Sequence, residues 1–257
     1  MPRIPIALTL SLAISCATAH RYGRLAVADV QAVATAPLHA SAKQWTRAGV
    51  AAGAVAATTL LDHRVRDAVA RNHSHALDDF TRVVEPLGGG RSTDVMLAFA
   101  LYGVIRDDQR AKLTAFDSFM SSVIASQAIT PIFKRIANRT RPNGGTLSFP
   151  SNHATEAFAL ATSVSENYPA ARFVAYGLAG AVGFARIYHN AHWISDVAGG
   201  AVIGSAVARK VARTNRIEWN VVPSRRGAAI TISTRASALF RAPSAGSTRP
   251  SGSAAAP

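Results

Sequence analysis

LTAFDSFMSSVIASQAITPIF, Leu113–Phe133, is the longest apolar segment of the chain, and Pro131 interrupts it shortly before Lys134. A run of that length reads as a helix that the proline breaks, because proline removes a backbone donor and crowds the preceding turn. Lys134 is thereby delivered just past the break. The composition points the same way: 3 Trp and 5 Tyr are few for 257 residues, while Ala and short aliphatics dominate. That usage favours close-packed helices over a sheet rich in β-branched and aromatic side chains. A hydrophobic share of 49% against 16% charged residues suffices for one sizeable core. The expected fold is an all-α helical bundle.

Towards the N-terminus, Asp94–Ile105 reads as a helix capped by Ser92 or Thr93 and ended by Asp107 and Asp108, after a loop at Leu87-Gly88-Gly89-Gly90. Ala48–Leu61 and Asp62–Asn72 read as two short helices. Arg3, the apolar run Ile4–Ile14 and the small-x-small site Ala17-Thr18-Ala19 have the layout of an export signal. Residues 1–19 are therefore expected to be removed, with 20–45 a polar lead-in to a helical domain over 46–216. A lipid anchor at Cys16 is the lesser alternative, because Ala13 stands where a bulkier aliphatic is usual. Cys16 is the single cysteine, so cleavage after Ala19 leaves no thiol for disulfide or thiolate chemistry.

Towards the C-terminus, Pro142-Asn143-Gly144-Gly145 forces a loop, and helices are expected over His153–Glu166, Ala170–Phe184 and Trp193–Val211. Trp219–Val222 and Ile230–Ser233, flanking Ser224–Gly227, read as a small β-hairpin within 217–241. The Ser-, Ala-, Pro-, Gly- and Arg-rich stretch 242–257 is expected to be disordered. No run reads as a membrane span, which needs about 20 unbroken apolar residues. The expectation is a soluble or peripherally bound body in the periplasm or cell envelope, with an integral membrane form as the lesser alternative.

The formal charge of +14 favours anionic partners: nucleic acid, anionic lipid or a phosphorylated small substrate. Arg209, Lys210, Arg213, Arg216, Arg225, Arg226 and Arg235 crowd the C-terminal part and read as a solvated basic face. Three clusters between residues 134 and 196 carry more specific chemistry. They are Lys134 with Arg141-Pro142; Phe149-Pro150-Ser151-Asn152-His153; and Arg186 with His192 and Asp196. Lys134 offers a compact charge, and Arg141 and Arg186 offer planar forks able to grip two oxygens of an oxyanion. His192 and Asp196 stand one helical turn apart, so the carboxylate can reach one imidazole nitrogen and leave the other free to attack. Any one cluster alone is a weak signal, since basic pairs in loops and His–Asp pairs on helices are common surface features.

The order and internal spacing of the three clusters resemble the signature of the superfamily that joins type 2 phosphatidic acid phosphatases, bacterial acid phosphatases and vanadium haloperoxidases. The resemblance covers about a quarter of the chain. It implies an all-α bundle and a metal-independent phosphatase acting on a phosphate monoester, or on a lipid or isoprenoid diphosphate, through a phosphohistidine at His192. It further implies that Asp196 orients His192, and that His153 protonates the leaving group and then activates water. Lys134, Arg141, Ser151, the backbone N–H of Asn152 and Arg186 would cradle the phosphate. No cofactor, metal or nucleic-acid partner is implied, vanadate is expected to inhibit, and the partners are a phosphorylated small molecule or lipid and an anionic membrane surface. Two alternatives accompany this reading: a vanadium-dependent haloperoxidase, against which the short chain argues, and a weakly active anion-binding envelope protein.

The chain departs from the family pattern at Asn152, where Gly is usual, and at Ala185, where Ser is usual. Gly at the first position suggests a positive φ or a close approach of main chain to phosphate, and Asn is the residue that best replaces it at positive φ. Arg135 and Arg139 read as solvated, His63, His73 and His75 as surface residues, and His189 has no role in the pattern.

Overall fold

The computed structural model describes residues 6–224 and 227–234, with side chains from 19 to 216. Residues 1–215 form one unit, and 216–257 fall in a second. The first is built of helices α1 (Ile6–Ala34), α2 (Ala42–Thr58), α3 (Asp62–Ala70), α4 (His75–Val84) and α5 (Gly90–Ile105). These are followed by α6 (Gln109–Ser122), α7 (Thr130–Ala137), α8 (Asn152–Asn167), α9 (Arg172–Tyr188) and α10 (Ile194–Asn215). In the second unit, β1 (Ile217–Ser224) and β2 (Gly227–Thr234) pair antiparallel with Trp219 opposite Ile232. The expected all-α fold with a small hairpin is what the chain forms. The expected tail, 242–257, lies outside the described residues, as do Arg225, Arg226 and Arg235.

α8 is the central helix, packing against α6, α9 and α10. Ala154, Thr155, Ala159 and Thr162 are fully buried along it. Small side chains let neighbouring backbones come close, and α10 answers with Gly200 and Gly204, where an added Cβ would strike the carbonyls of Ser151 and Thr155.

Several boundaries differ from expectation for local reasons. α1 runs without a break through Ala17-Thr18-Ala19 to Ala34, so residues 20–34 of the expected lead-in are helical. What holds it is burial of Leu25 and Asp29 and a tie from Asn215 of α10, whose amide donates to Asp29 at 2.9 Å. Ser41 and Gln44 then form a reciprocal capping box that opens α2. The expected loop is instead a short 3-10 turn, Glu85–Gly88, running into α5 at Gly90, and Gly89 is the N-cap in place of Ser92 or Thr93. Ser92 lies in the first turn, donating to the Gly89 carbonyl at 2.6 Å.

Pro131 does not break the Leu113–Phe133 segment. Its missing donor is absorbed by a π-helical stretch, Val123–Ile129, after which α7 begins with the proline in its first turn. Thr130 donates its hydroxyl to the Ala125 carbonyl at 2.8 Å across this widened turn. Among the described residues one helix, Pro169–Tyr188, with 20 residues and a mean hydropathy of 1.2, is long and apolar enough to cross a membrane by length and composition alone. The 3-10 turn Pro169–Ala171 runs directly into α9, joining what the sequence presents as a shorter run.

Candidate functional site

Lys134 sits in the last turn of α7, ahead of a left-handed residue, Asn138, at φ 40° that ends the helix. The following loop folds back on the lysine. Lys134 Nζ donates to the Leu147 carbonyl at 2.7 Å, and Arg141 Nε donates to the Thr146 carbonyl at 3.0 Å. Ser151 caps α8 by accepting from the Ala154 N–H, which places Asn152 and His153 in the first helical turn. Arg186 comes from the last turn of α9, and His192 from the short connection to α10.

These elements converge on one pocket of about 310 Å³. Lys134, Arg141, Asn152, His153, Arg186 and His192 all line it, joined by Ser126 and Gln127 from the π-helical stretch and Pro131 from the first turn of α7. Ser151 and Asp196 are fully buried, and neither is among the lining residues. Ser151 is tied to Asp196 through the backbone, its N–H donating to the Asp196 carbonyl at 3.0 Å.

Asp196 Oδ2 lies 3.6 Å from His192 Nδ1, beside it but beyond hydrogen-bond distance. The carboxylate is instead gripped by other donors: the Ser148 hydroxyl, the Trp193 N–H at 2.8 Å and Arg139 Nη1 at 2.9 Å. Burial alone would raise the Asp196 carboxyl, but its neighbour His192, Ser148, the Trp193 N–H and Arg139 together hold it below the usual carboxylate range. Arg139 also donates to Asp62 at 2.5 Å and to the Ser195 hydroxyl at 2.6 Å. It is therefore not solvated: it is a bridge between two buried carboxylates, packed over the Trp193 ring at 5.5 Å. Arg135, by contrast, is exposed, as are His63, His73 and His75.

Electrostatics separate the two histidines from ordinary surface imidazoles. Burial depresses His192, and the cations Arg141 and Lys134 add to that, so the neutral, nucleophilic form is favoured against the opposing pull of Asp196. Burial likewise depresses His153, opposed by Glu156 and assisted by Arg141 and Lys134. Lys134 itself is lowered to about 8 by burial and by Arg141. Lys134, Arg141 and Arg186 on one pocket wall suit an anionic group.

Glu85, Asp62, Ser148, Glu156 and Ser126 support this site without any sequence signal. Glu85 pairs with Arg186 and stands 3.3 Å from His189, which accounts for that histidine outside the pocket. Glu156 accepts from Ser126 at 2.6 Å, and Ser126 in turn accepts from the Asn152 amide at 3.4 Å. Asn152 itself is not among the positive-φ residues and begins α8 with a helical backbone, so the conformational reason for Gly at this position does not apply here. The close backbone approach falls elsewhere: a side chain at Gly88 would strike Val182 and the His153 carbonyl, and one at Gly89 would meet the His153 ring. Among the described residues no group of three or more His, Cys, Asp or Glu side chains is arranged to hold a metal ion.

Comparison with known proteins agrees with this geometry. A 74-residue stretch is 40% identical to a lipid A 1-phosphatase of Porphyromonas gingivalis, covering 27% of this chain; the chain spans 17% of that relative's length. The crystal structure of Aquifex aeolicus LpxE aligns at a TM-score of 0.50 and 21% identity over 60% of this chain and 95% of that one, a likeness of fold. Residues 118–219 match the family model described as PAP2 superfamily. The stretch that matches this family model holds every residue lining the pocket together with Asp196.

Proposed function

We propose that this protein is a membrane-associated lipid phosphatase that works without a metal through a phosphohistidine on His192. The observation that carries the reading is the convergence of Lys134, Arg141, Arg186, His153 and His192 on one pocket from separate elements. Phosphoryl transfer spreads negative charge over three equatorial oxygens, and fixed cations stabilise that charge most where water is scarce. Lys134, Arg141 and Arg186 take those oxygens. His192, whose Nδ1 faces Asp196, attacks phosphorus through Nε2; the N–P bond forms as the P–O bond to the alcohol breaks. His153 gives its proton to the departing oxygen. A water then loses a proton to His153 and attacks phosphorus, the N–P bond breaks, and phosphate leaves with His192 restored. The lipid part of the proposal is supported by the relative's name and by large apolar side chains facing outward, such as Leu101, Val104 and Ile105 of α5. Export to the cell envelope belongs to the same proposal.

Phosphate release from p-nitrophenyl phosphate and from a phosphatidate in mixed micelles, with and without vanadate, tests it. Turnover of both, blocked by vanadate, is expected. Bromide oxidation that requires vanadate, or no turnover of either ester, would contradict it.

A further inference from the structure

We propose that a second, wholly apolar groove between α5, α8 and α9 holds an acyl chain of the substrate while its phosphate occupies the cationic pocket. The inference rests on the phosphatase reading above and specifies the substrate: a phosphate joined to long hydrocarbon. The groove has a volume of about 200 Å³ and is walled by hydrocarbon from Val95 and Phe99, Leu160 and Ala161, and Ala175 and Leu178.

Its relation to the phosphate pocket follows from helical periodicity. Residues four apart on a helix lie on one face. On α8, His153 lines the phosphate pocket and Ala157 and Ala161 line the groove; on α9, Arg186 lines the pocket and Val182 and Leu178 line the groove. The same two helix faces therefore run from one cavity into the other. Leu87 of the 3-10 turn lines the near end, next to Gly88, which lies against Val182 and the His153 carbonyl. From His153 to Val164 the rise along α8 is about 16 Å, so the groove leads well away from the phosphate.

The lining suits a chain and little else. Alanines at 157, 161, 175 and 179 leave room that larger aliphatics would fill. A sugar or free phosphate would find no polar partner among the lining side chains. Val174 and Leu178, 67% and 47% exposed, form an open side through which hydrocarbon enters from an apolar phase.

The test compares phosphatidates of long and short acyl chain with p-nitrophenyl phosphate. The unmodified protein should prefer the long-chain lipid in kcat/KM by about tenfold or more, and Ala175→Trp, which fills the groove from its half-buried rim, should abolish that preference. Turnover of p-nitrophenyl phosphate by this variant should stay within about twofold. Equal kcat/KM for both chain lengths, or a parallel fall on all substrates in a folded variant, would overturn the proposal. If neither ester is hydrolysed, the phosphatase reading fails separately, and the groove is then judged by photo-crosslinking of a phosphatidate with a diazirine in its acyl chain. Adducts confined to the groove, on Leu87, Val95, Phe99 or its lining residues between 157 and 182, support it; adducts elsewhere, or none, overturn it.

Discussion

Asp196 is held in position by Ser148, Arg139 and the Trp193 N–H as well as by its neighbour His192, so its placement does not depend on the imidazole alone. Asp196→Asn can still accept from Ser148 and the Trp193 N–H through its one carbonyl oxygen, but it turns an amide N–H towards Arg139 and removes the charge that supports the imidazolium, and kcat should fall by about 10²–10⁴-fold with little change in circular dichroism. A loss under about threefold would show that Asp196 is structural only. The two histidines set the pH profile. His192 must be neutral to attack and His153 protonated to donate, and burial depresses both below 6.5. Activity rises as His192 loses its proton and falls as His153 loses its own, so kcat/KM should peak on the acidic side of 6.5. Glu156 raises His153, so Glu156→Gln should move the alkaline limb to lower pH, as steady-state kinetics across pH would read. Movement to higher pH would contradict the assignment of His153 as the acid.

At the scale of elements, the α8–α10 contact is set by glycines on which the sequence reading placed no weight. Gly204→Val would push a branched side chain into the Thr155 carbonyl, and a loss of about 2–3 kcal/mol in denaturant unfolding is expected. A second feature lies where α1, α6 and α10 meet: Asn215 bridges Asp29 and Asp117 at 2.9 and 3.0 Å. Burial raises these carboxyls to about 7 and about 6. The folded chain thus binds more protons than the unfolded chain between 3.8 and about 7, and stability should fall as pH rises through that window. Asp29→Asn should flatten the slope and raise the melting midpoint at pH 8; an unchanged pH dependence would exclude Asp29 as its source. Helix existence was legible because apolar periodicity and caps are local signals. The π-helical stretch was not, since Pro131 reads as a break while the chain resolves its missing donor by widening one turn. Arg139 shows the same limit, because its partner Asp62 is 77 residues away and nothing near Arg139 in sequence announces it.

For the molecule as a whole, the cations and the two histidines that line the pocket were legible from type and spacing, and the contacts around them were not, since these arise only when α3, the 85–88 turn and α8 close around the pocket. The outward apolar side chains, among them Leu60, Ile105 and Phe173, at 80%, 77% and 86% exposure, are likewise invisible to a search for unbroken spans. They favour a protein that meets its substrate at a membrane. The central claim, a metal-independent transfer of phosphate to His192, is tested most directly by trapping the intermediate. Protein treated with EDTA is mixed with a 32P-labelled phosphate ester, quenched in base and digested, and the labelled peptide is sequenced. The account predicts a label that is stable to base, labile to acid and located on His192, with none in His192→Ala. Turnover that stops with EDTA and returns with a divalent ion, or a label that persists in His192→Ala, would contradict it.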